Sequence, residues 1–236
     1  MVTPTERRRF NSDLHGKLTH LFGVYSLEDN MTHQPEPARL DWVAYQPLAD
    51  DPLNQYLVEL EEAVRLLKRD ALWQATQVLF DAWRRGAQIF ILGNGGSAAT
   101  ASHMANDLNK LTITPGKPRF KAIALTDNIP LMTAWGNDTS YEEIFAEQLT
   151  NFIQPGDVVV AISASGNSPN VLRAVQVARQ HGAATIGLTG LTGGKLKDLV
   201  DHCVLTPTGH ICQQEDCHLI AEHAIANTLK RLVELE

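Results

Sequence analysis

The chain has 236 residues, 44% of them hydrophobic, and a formal net charge of -7 from 20 basic and 27 acidic side chains. This composition supports a sizeable core and one domain with an extension. The acidic balance excludes a nucleic-acid backbone as the main partner, because phosphodiesters recruit Lys and Arg.

No apolar run is long enough to span a bilayer. Arg7, Arg8 and Arg9 are followed by no apolar signal segment. Cys203, Cys212 and Cys217 are too few for a disulfide scaffold, so a reducing cytoplasm is the expected setting. Residues 1–48 show no sustained period and are read as an extension, with a short helix expected near Asp13–Phe22. A domain is expected over 49–236.

From Leu53 apolar residues recur every three and four positions, through Tyr56, Leu57, Leu60, Val64 and Leu67. A second helix carries Leu72, Ala75, Leu79 and Trp83 on one stripe, and Gly86 is placed to end it. Strands and helices then alternate. Strands are expected at Ala87–Leu92, Phe120–Leu125, Asp157–Ile162, Ala184–Leu188 and Val200–Leu205. Helices are expected at Ser97–Leu111, Ile129–Gly136, Tyr141–Phe152, Asn170–His181 and from Gln213 to Leu235, with Gly136-Asn137-Asp138 as a turn. Apolar strands alternating with helices indicate a parallel sheet covered on both faces, with ligands bound beyond the carboxyl ends of its strands.

Two strand ends stand out. Gly93-Asn94-Gly95-Gly96-Ser97 follows the first strand, with Ser97 the expected helix cap and an anion favoured at the free N–H groups of the first turn. Ser163-Ala164-Ser165-Gly166-Asn167-Ser168-Pro169 follows the third, with Ser168 as cap and Pro169 opening a helix. Alone, the first is equally an ordinary glycine-bearing turn, and the second reads better as a serine-rich cap loop that binds water; two such turns at two strand ends of one sheet point to a ligand. His103 and Asp107, four apart, share a helix face just beyond the first turn. On the last helix Glu215, His218 and Glu222 project close together, with His223 roughly 80° from Glu215. Glu222 reads as part of a solvated face, and His223 as lying in apolar surroundings. The Cys-x-x-Cys spacing of structural zinc sites is absent.

Gly93-Asn94-Gly95-Gly96-Ser97 with His103 and Asp107, then Gly136-Asn137-Asp138, Ser163–Ser168 and His218/His223, together resemble the sugar isomerase (SIS) family, in particular its phosphoheptose isomerase branch. The resemblance runs from about Leu53 to Leu235. It implies a flavodoxin-like three-layer α/β sandwich with a five-stranded parallel sheet, and a homotetramer with active sites at subunit interfaces. It implies that Asn94, Gly95, Gly96, Ser97, Asn137 and Asp138 contact a phosphorylated sugar, as do Asp107 and Glu215. It assigns the phosphate to Ser163, Ala164, Ser165 and Ser168. One zinc per site is implied, on His103, Asp107, Glu215 and His223. Neither a nucleic acid nor a membrane is implied as a partner.

The departures are specific. Aspartate stands at Asp107 where the family has glutamate, and Glu215 where it has glutamine. Ala164 replaces a hydroxyl residue. Leu111 and Cys212 stand where an arginine and an aspartate are usual.

The implied reaction is aldose–ketose isomerisation, sedoheptulose 7-phosphate to D-glycero-D-manno-heptose 7-phosphate through an enediol, with Asp107 and His223 as acid and base. A pentose or hexose phosphate is the neighbouring alternative. A non-catalytic phosphosugar sensor or replication-initiator-associating adaptor is the other; that branch lacks the final-helix histidine, which this chain has at His223.

Overall fold

Ile89 and Ile91 alternate with Phe90 and Leu92 in one strand, and all four are buried. A strand with no solvent face needs cover on both sides. The computed structural model, which describes residues 49–236, supplies it. The expected Asp13–Phe22 helix and the rest of the 1–48 extension lie outside the described residues.

The chain begins with two helices, α1 (Pro52–Leu66) and α2 (Arg69–Arg85). Gly86 ends α2 in the left-handed conformation, as its position suggested, its N–H bonded back to Ala82 and Trp83. Then come β1 (Gln88–Gly93), α3 (Gly96–Lys110), β2 (Lys121–Ala124), α4 (Ile129–Asp138) and α5 (Ala146–Phe152). They are followed by β3 (Val158–Ser163), α6 (Pro169–Gln180), β4 (Ala184–Thr189), α7 (Leu196–Leu199), β5 (His202–Leu205) and α8 (Ile211–Leu235).

The five strands form one all-parallel sheet in the order β2-β1-β3-β4-β5. The expected α/β three-layer sandwich is therefore the observed one. On one face Ile89, Ile91, Val158 and Val160 pack with Leu79 and Trp83 of α2, Met104 and Leu108 of α3, and Ile225 and Leu229 of α8. On the other, Phe90, Leu92 and Val159 pack with Leu149 of α5, Val171 and Val175 of α6, and Leu196. Ala63 and Leu67 join Cys217 in a smaller cluster between α1 and α8.

Several expected boundaries move, each for a local reason. The helix expected over Tyr141–Phe152 begins only at Ala146, because 141–145 form turns, with Glu143 N–H bonded to Ser140 O. Gly136-Asn137-Asp138 is not a turn but the last turn of α4. The one-turn α7 was too short to leave a period.

The strand order places a topological switch point at β1 and β3. The chain leaves β1 toward β2 on one side and returns to β3 on the other. Connections that diverge there open a crevice at the carboxyl ends of the two strands. Asn94 and Ser163 stand at those ends.

Candidate active site

The turn after β1 is held from below. Asn94 and the buried Asn170 exchange amide hydrogen bonds, Asn94 Nδ2 to Asn170 Oδ1 at 2.8 Å and Asn170 Nδ2 to Asn94 Oδ1 at 2.9 Å. Asn170 Oδ1 also accepts from Val171 N–H, so Asn94 is anchored to the first turn of α6. Tyr141 donates to Asn94 Oδ1 at 3.1 Å.

Gly95, not Ser97, is the cap of α3, at φ +55°. The Glu215 carboxyl rests against Gly96: a Cβ there would lie 2.5 Å from its atoms, so the side chain would have to move aside. Ser97 thus falls within the first turn and faces a pocket instead of capping the helix.

That pocket, about 190 Å³, is lined by Asn94, Ser97, Ile162, Ser163–Ser165, Ser168, Ile211 and Glu215. Ser168 holds the cap position before Pro169, yet its hydroxyl makes no cap bond. It lies 3.2 Å from Ser163 Oγ, which is 3.5 Å from Ser165 Oγ. Asn167 N–H donates to Ser165 Oγ. Hydroxyls and two helix N-termini converging at strand ends suit a phosphate dianion.

Farther along α3 a second centre forms against α8. His103 Nε2 and His223 Nε2 are 3.0 Å apart. Asp107 Oδ2 is 3.9 Å from each of those nitrogens. Glu222 Oε2 is 3.7 Å from His223 Nε2. Ligand atoms of all four side chains lie within 4.8 Å of one another. Two imidazole nitrogens in contact cannot both carry a proton on the shared line. Two nitrogens and two carboxylates form a donor set that divalent zinc accepts.

Electrostatics separate the members. Glu222 is fully buried, and neither of its oxygens has a hydrogen-bond partner among the described residues. Burial first, and the negative charge of Asp107 second, push its carboxyl up to about 8. Burial pushes His218 down to about 4, so it stays neutral in the core.

The structure thus sorts the expected residues. Asn94, Ser97, Ser163, Ala164, Ser165, Ser168 and Glu215 line one pocket, with Gly95 and Gly96 at its edge. His103, Asp107 and His223 meet in the cluster. Glu215 does not join them; its carboxyl lies over Gly96, and Glu222 takes the fourth place. Asn137 and Asp138 are exposed, bond to each other at 2.8 Å and do not line the pocket.

Two expectations about α8 are reversed. Glu222 is not on a solvated face but in the core, and the His223 side chain is 45% exposed while His218 is the buried histidine. Glu222, Asn170 and Tyr141 were missed. Only Glu222 left a signal, its placement on the wheel beside His218.

A shallower depression of about 700 Å³ along β2 is lined by Ser102, Asn106, Asn109, Lys110 and Asp127. Its groups are committed to structure: Asn109 bonds both the N–H and the carbonyl of Ala122, and Ser102 bonds Asp127.

Residues 54–190 match the SIS domain family, more than half of the chain. The chain belongs to the SIS domain family. This SIS domain is 38% identical over 160 residues to the phosphoheptose isomerase of Rhodospirillum rubrum, an alignment covering 68% of this chain and 85% of that protein. The solved structure of phosphoheptose isomerase GmhA from Neisseria gonorrhoeae is similar with a TM-score of 0.70 and 29% identity, covering 75% of this chain and 96% of the other. That of a phosphoheptose isomerase from Francisella tularensis gives 0.72 and 27%, with 77% and 97% covered.

Proposed function

We propose that this SIS domain is an aldose–ketose isomerase that converts sedoheptulose 7-phosphate to D-glycero-D-manno-heptose 7-phosphate through an enediol. The observation that carries this reading is that α3 serves both centres. Ser97 lies at the pocket and His103 in the cluster, six residues or ~9 Å of helix rise apart. A carbon chain held by its phosphate at one end presents its carbonyl at the other. The relatives are named for the same activity.

In this reading the serine loop and the first turn of α3 hold the phosphate. Asp107 takes the proton beside the carbonyl, and His223 exchanges a proton with the carbonyl oxygen. His103, Asp107 and His223 fit zinc, one per site, and the orphaned Glu222 oxygens beside them are the structural sign that a cation or a proton belongs there. Zinc, when bound, supplies a Lewis acid for the developing oxyanion. A carboxylate on a cation is a weaker base, so the two duties compete at Asp107.

The site is proposed to be completed at subunit interfaces of a homotetramer. Exposed Leu53, Leu57, Val58 and Leu66 on α1 support association, and light scattering gives the mass. The free cysteines suit a reducing cytoplasm, and no helix among the described residues is long and apolar enough to cross a membrane. Residues 49–236 are taken as the catalytic domain and 1–48 as an extension to it. A chain starting at residue 49 is expected to keep turnover.

The test is to follow sedoheptulose 7-phosphate by NMR with purified protein, with and without zinc. Appearance of the aldoheptose phosphate supports the reading. Binding without conversion overturns it in favour of a sensor or another sugar phosphate.

A further inference from the structure

The family resemblance puts two cation ligands on α8, at Glu215 and His223. In this structure Glu215 is elsewhere, lining the phosphate pocket and resting against Gly96. Two turns farther along α8, Glu222 faces the cluster. Its Oε2 is 3.7 Å from His223 Nε2, it is wholly shielded from solvent, and both oxygens lack a hydrogen-bond partner among the described residues. An ionised carboxylate held in a core without a partner is strongly disfavoured. Asp107 differs: its side chain is 12% exposed, and its Oδ1 accepts from Asn106 Nδ2 at 3.0 Å. Donors around zinc at bonds of 2.0–2.1 Å stand about 3.3 Å from one another in a tetrahedral site. The 3.0 Å between the two imidazole nitrogens and the 3.7 Å from His223 Nε2 to Glu222 Oε2 bracket that value.

We infer that Glu222 is the carboxylate ligand by which α8 completes the cation site, and that Glu215 is not a ligand but a substrate-side residue of the phosphate pocket. With His103, His223 and Glu222 on the ion, the site has the two-histidine, one-glutamate donor set of catalytic zinc sites. Asp107 is then released from ligation to act as the base, which removes the competition noted above. This inference rests on the zinc-dependent isomerase reading.

The experiment is zinc titration by calorimetry of the full chain in the absence of any sugar phosphate, for wild type, Glu222→Leu and Glu215→Leu, with folding checked by circular dichroism. Leucine is used because glutamine would keep a donor oxygen at either position. Glu222→Leu is expected to lose more than the about 10- to 100-fold that removing a supporting outer residue takes from metal affinity. Glu215→Leu is expected to bind zinc as wild type does. Zinc binding by Glu222→Leu at wild-type affinity overturns the inference and leaves the isomerase reading standing. So does loss of zinc by Glu215→Leu alone. A wild type that binds no zinc overturns the cofactor reading and this inference together, while turnover is judged separately by NMR.

Should Glu222→Leu fail to fold, the Glu222→Cys and Glu215→Cys variants loaded with Co²⁺ decide. A thiolate-to-cobalt charge-transfer band, above the wild-type spectrum, is expected in the first and not in the second. The reverse pattern, or no band in the first, overturns the inference.

Discussion

The two centres served by α3 are built in opposite ways. The pocket at the ends of β1 and β3 is satisfied by its own chain. Asn94 and Asn170 exchange hydrogen bonds, the serine hydroxyls lie near one another, and Asn167 secures the loop through its side chain to Ser165 O and from Lys195 N–H. The cluster between α3 and α8 is not. It holds two imidazole nitrogens at 3.0 Å and a buried carboxylate with no partner among the described residues. One centre is shaped before its ligand arrives; the other is complete only with a proton or a cation. Pre-formed donors favour binding, and an under-satisfied, partly desolvated group favours chemistry.

The sharpest way to break this comparison is His223→Ala. Turnover is expected to fall by about 100- to 10,000-fold, the range for a lost acid–base group. Sugar phosphate binding, read by chemical-shift perturbation, should persist because the pocket is intact. Undiminished turnover would remove His223 from the chemistry.

Glu222→Leu separates the centres by stability. In metal-free protein it is expected to stabilise the fold by about 1–4 kcal/mol, because a buried unpaired acid gives way to a packed side chain. Zinc should then no longer raise the melting temperature. The pH dependence has a definite sign. Below about pH 4.5 the Glu222 carboxyl is protonated whether the chain is folded or not. Between there and about 8 the unfolded chain loses the proton first, so metal-free wild type loses stability as pH rises. Denaturant melts from pH 5 to 9 should show this component of the decline in wild type and not in Glu222→Leu.

Asn170→Ala tests the satisfied centre. It leaves Val171 N–H and Asn94 Nδ2 without the partner they have in Asn170 and is expected to cost about 1–3 kcal/mol by denaturant unfolding, with weaker phosphate binding and unchanged zinc affinity. The smallest effect is expected from Gly96→Ala. The added Cβ meets the end of a flexible side chain, so Glu215 moves and stability changes by roughly 1 kcal/mol or less. Substrate affinity should shift while zinc affinity holds.

Sequence periodicity was enough for the sheet, because Ile89–Leu92 and Val158–Ile162 are apolar on both faces and only a doubly covered strand tolerates that. The pocket was legible for the same reason: both of its turns directly follow such strands. Glu222 was not. A helical wheel gives angles, but which sector faces the core depends on where α2 and α3 pack against α8. Glu222 and His218 share the buried sector, and His223 lies at its rim. Position 97 shows a second limit. A serine at a helix start looks like a cap, yet the glycine pair before it allows a backbone that serine would resist, and the cap moves to Gly95.

The contact between His103 and His223 joins positions 120 residues apart in the chain. During synthesis all five strands and the serine loop are made before α8, so the pairing of His103 with His223 cannot form until the last helix has left the ribosome. On the isomerase reading proposed above, turnover therefore waits for α8 to dock. Trimming α8 would remove His223 and, with Ile225 and Leu229, part of the cover of one sheet face. One helix thus closes the core and brings the cluster together in the same step.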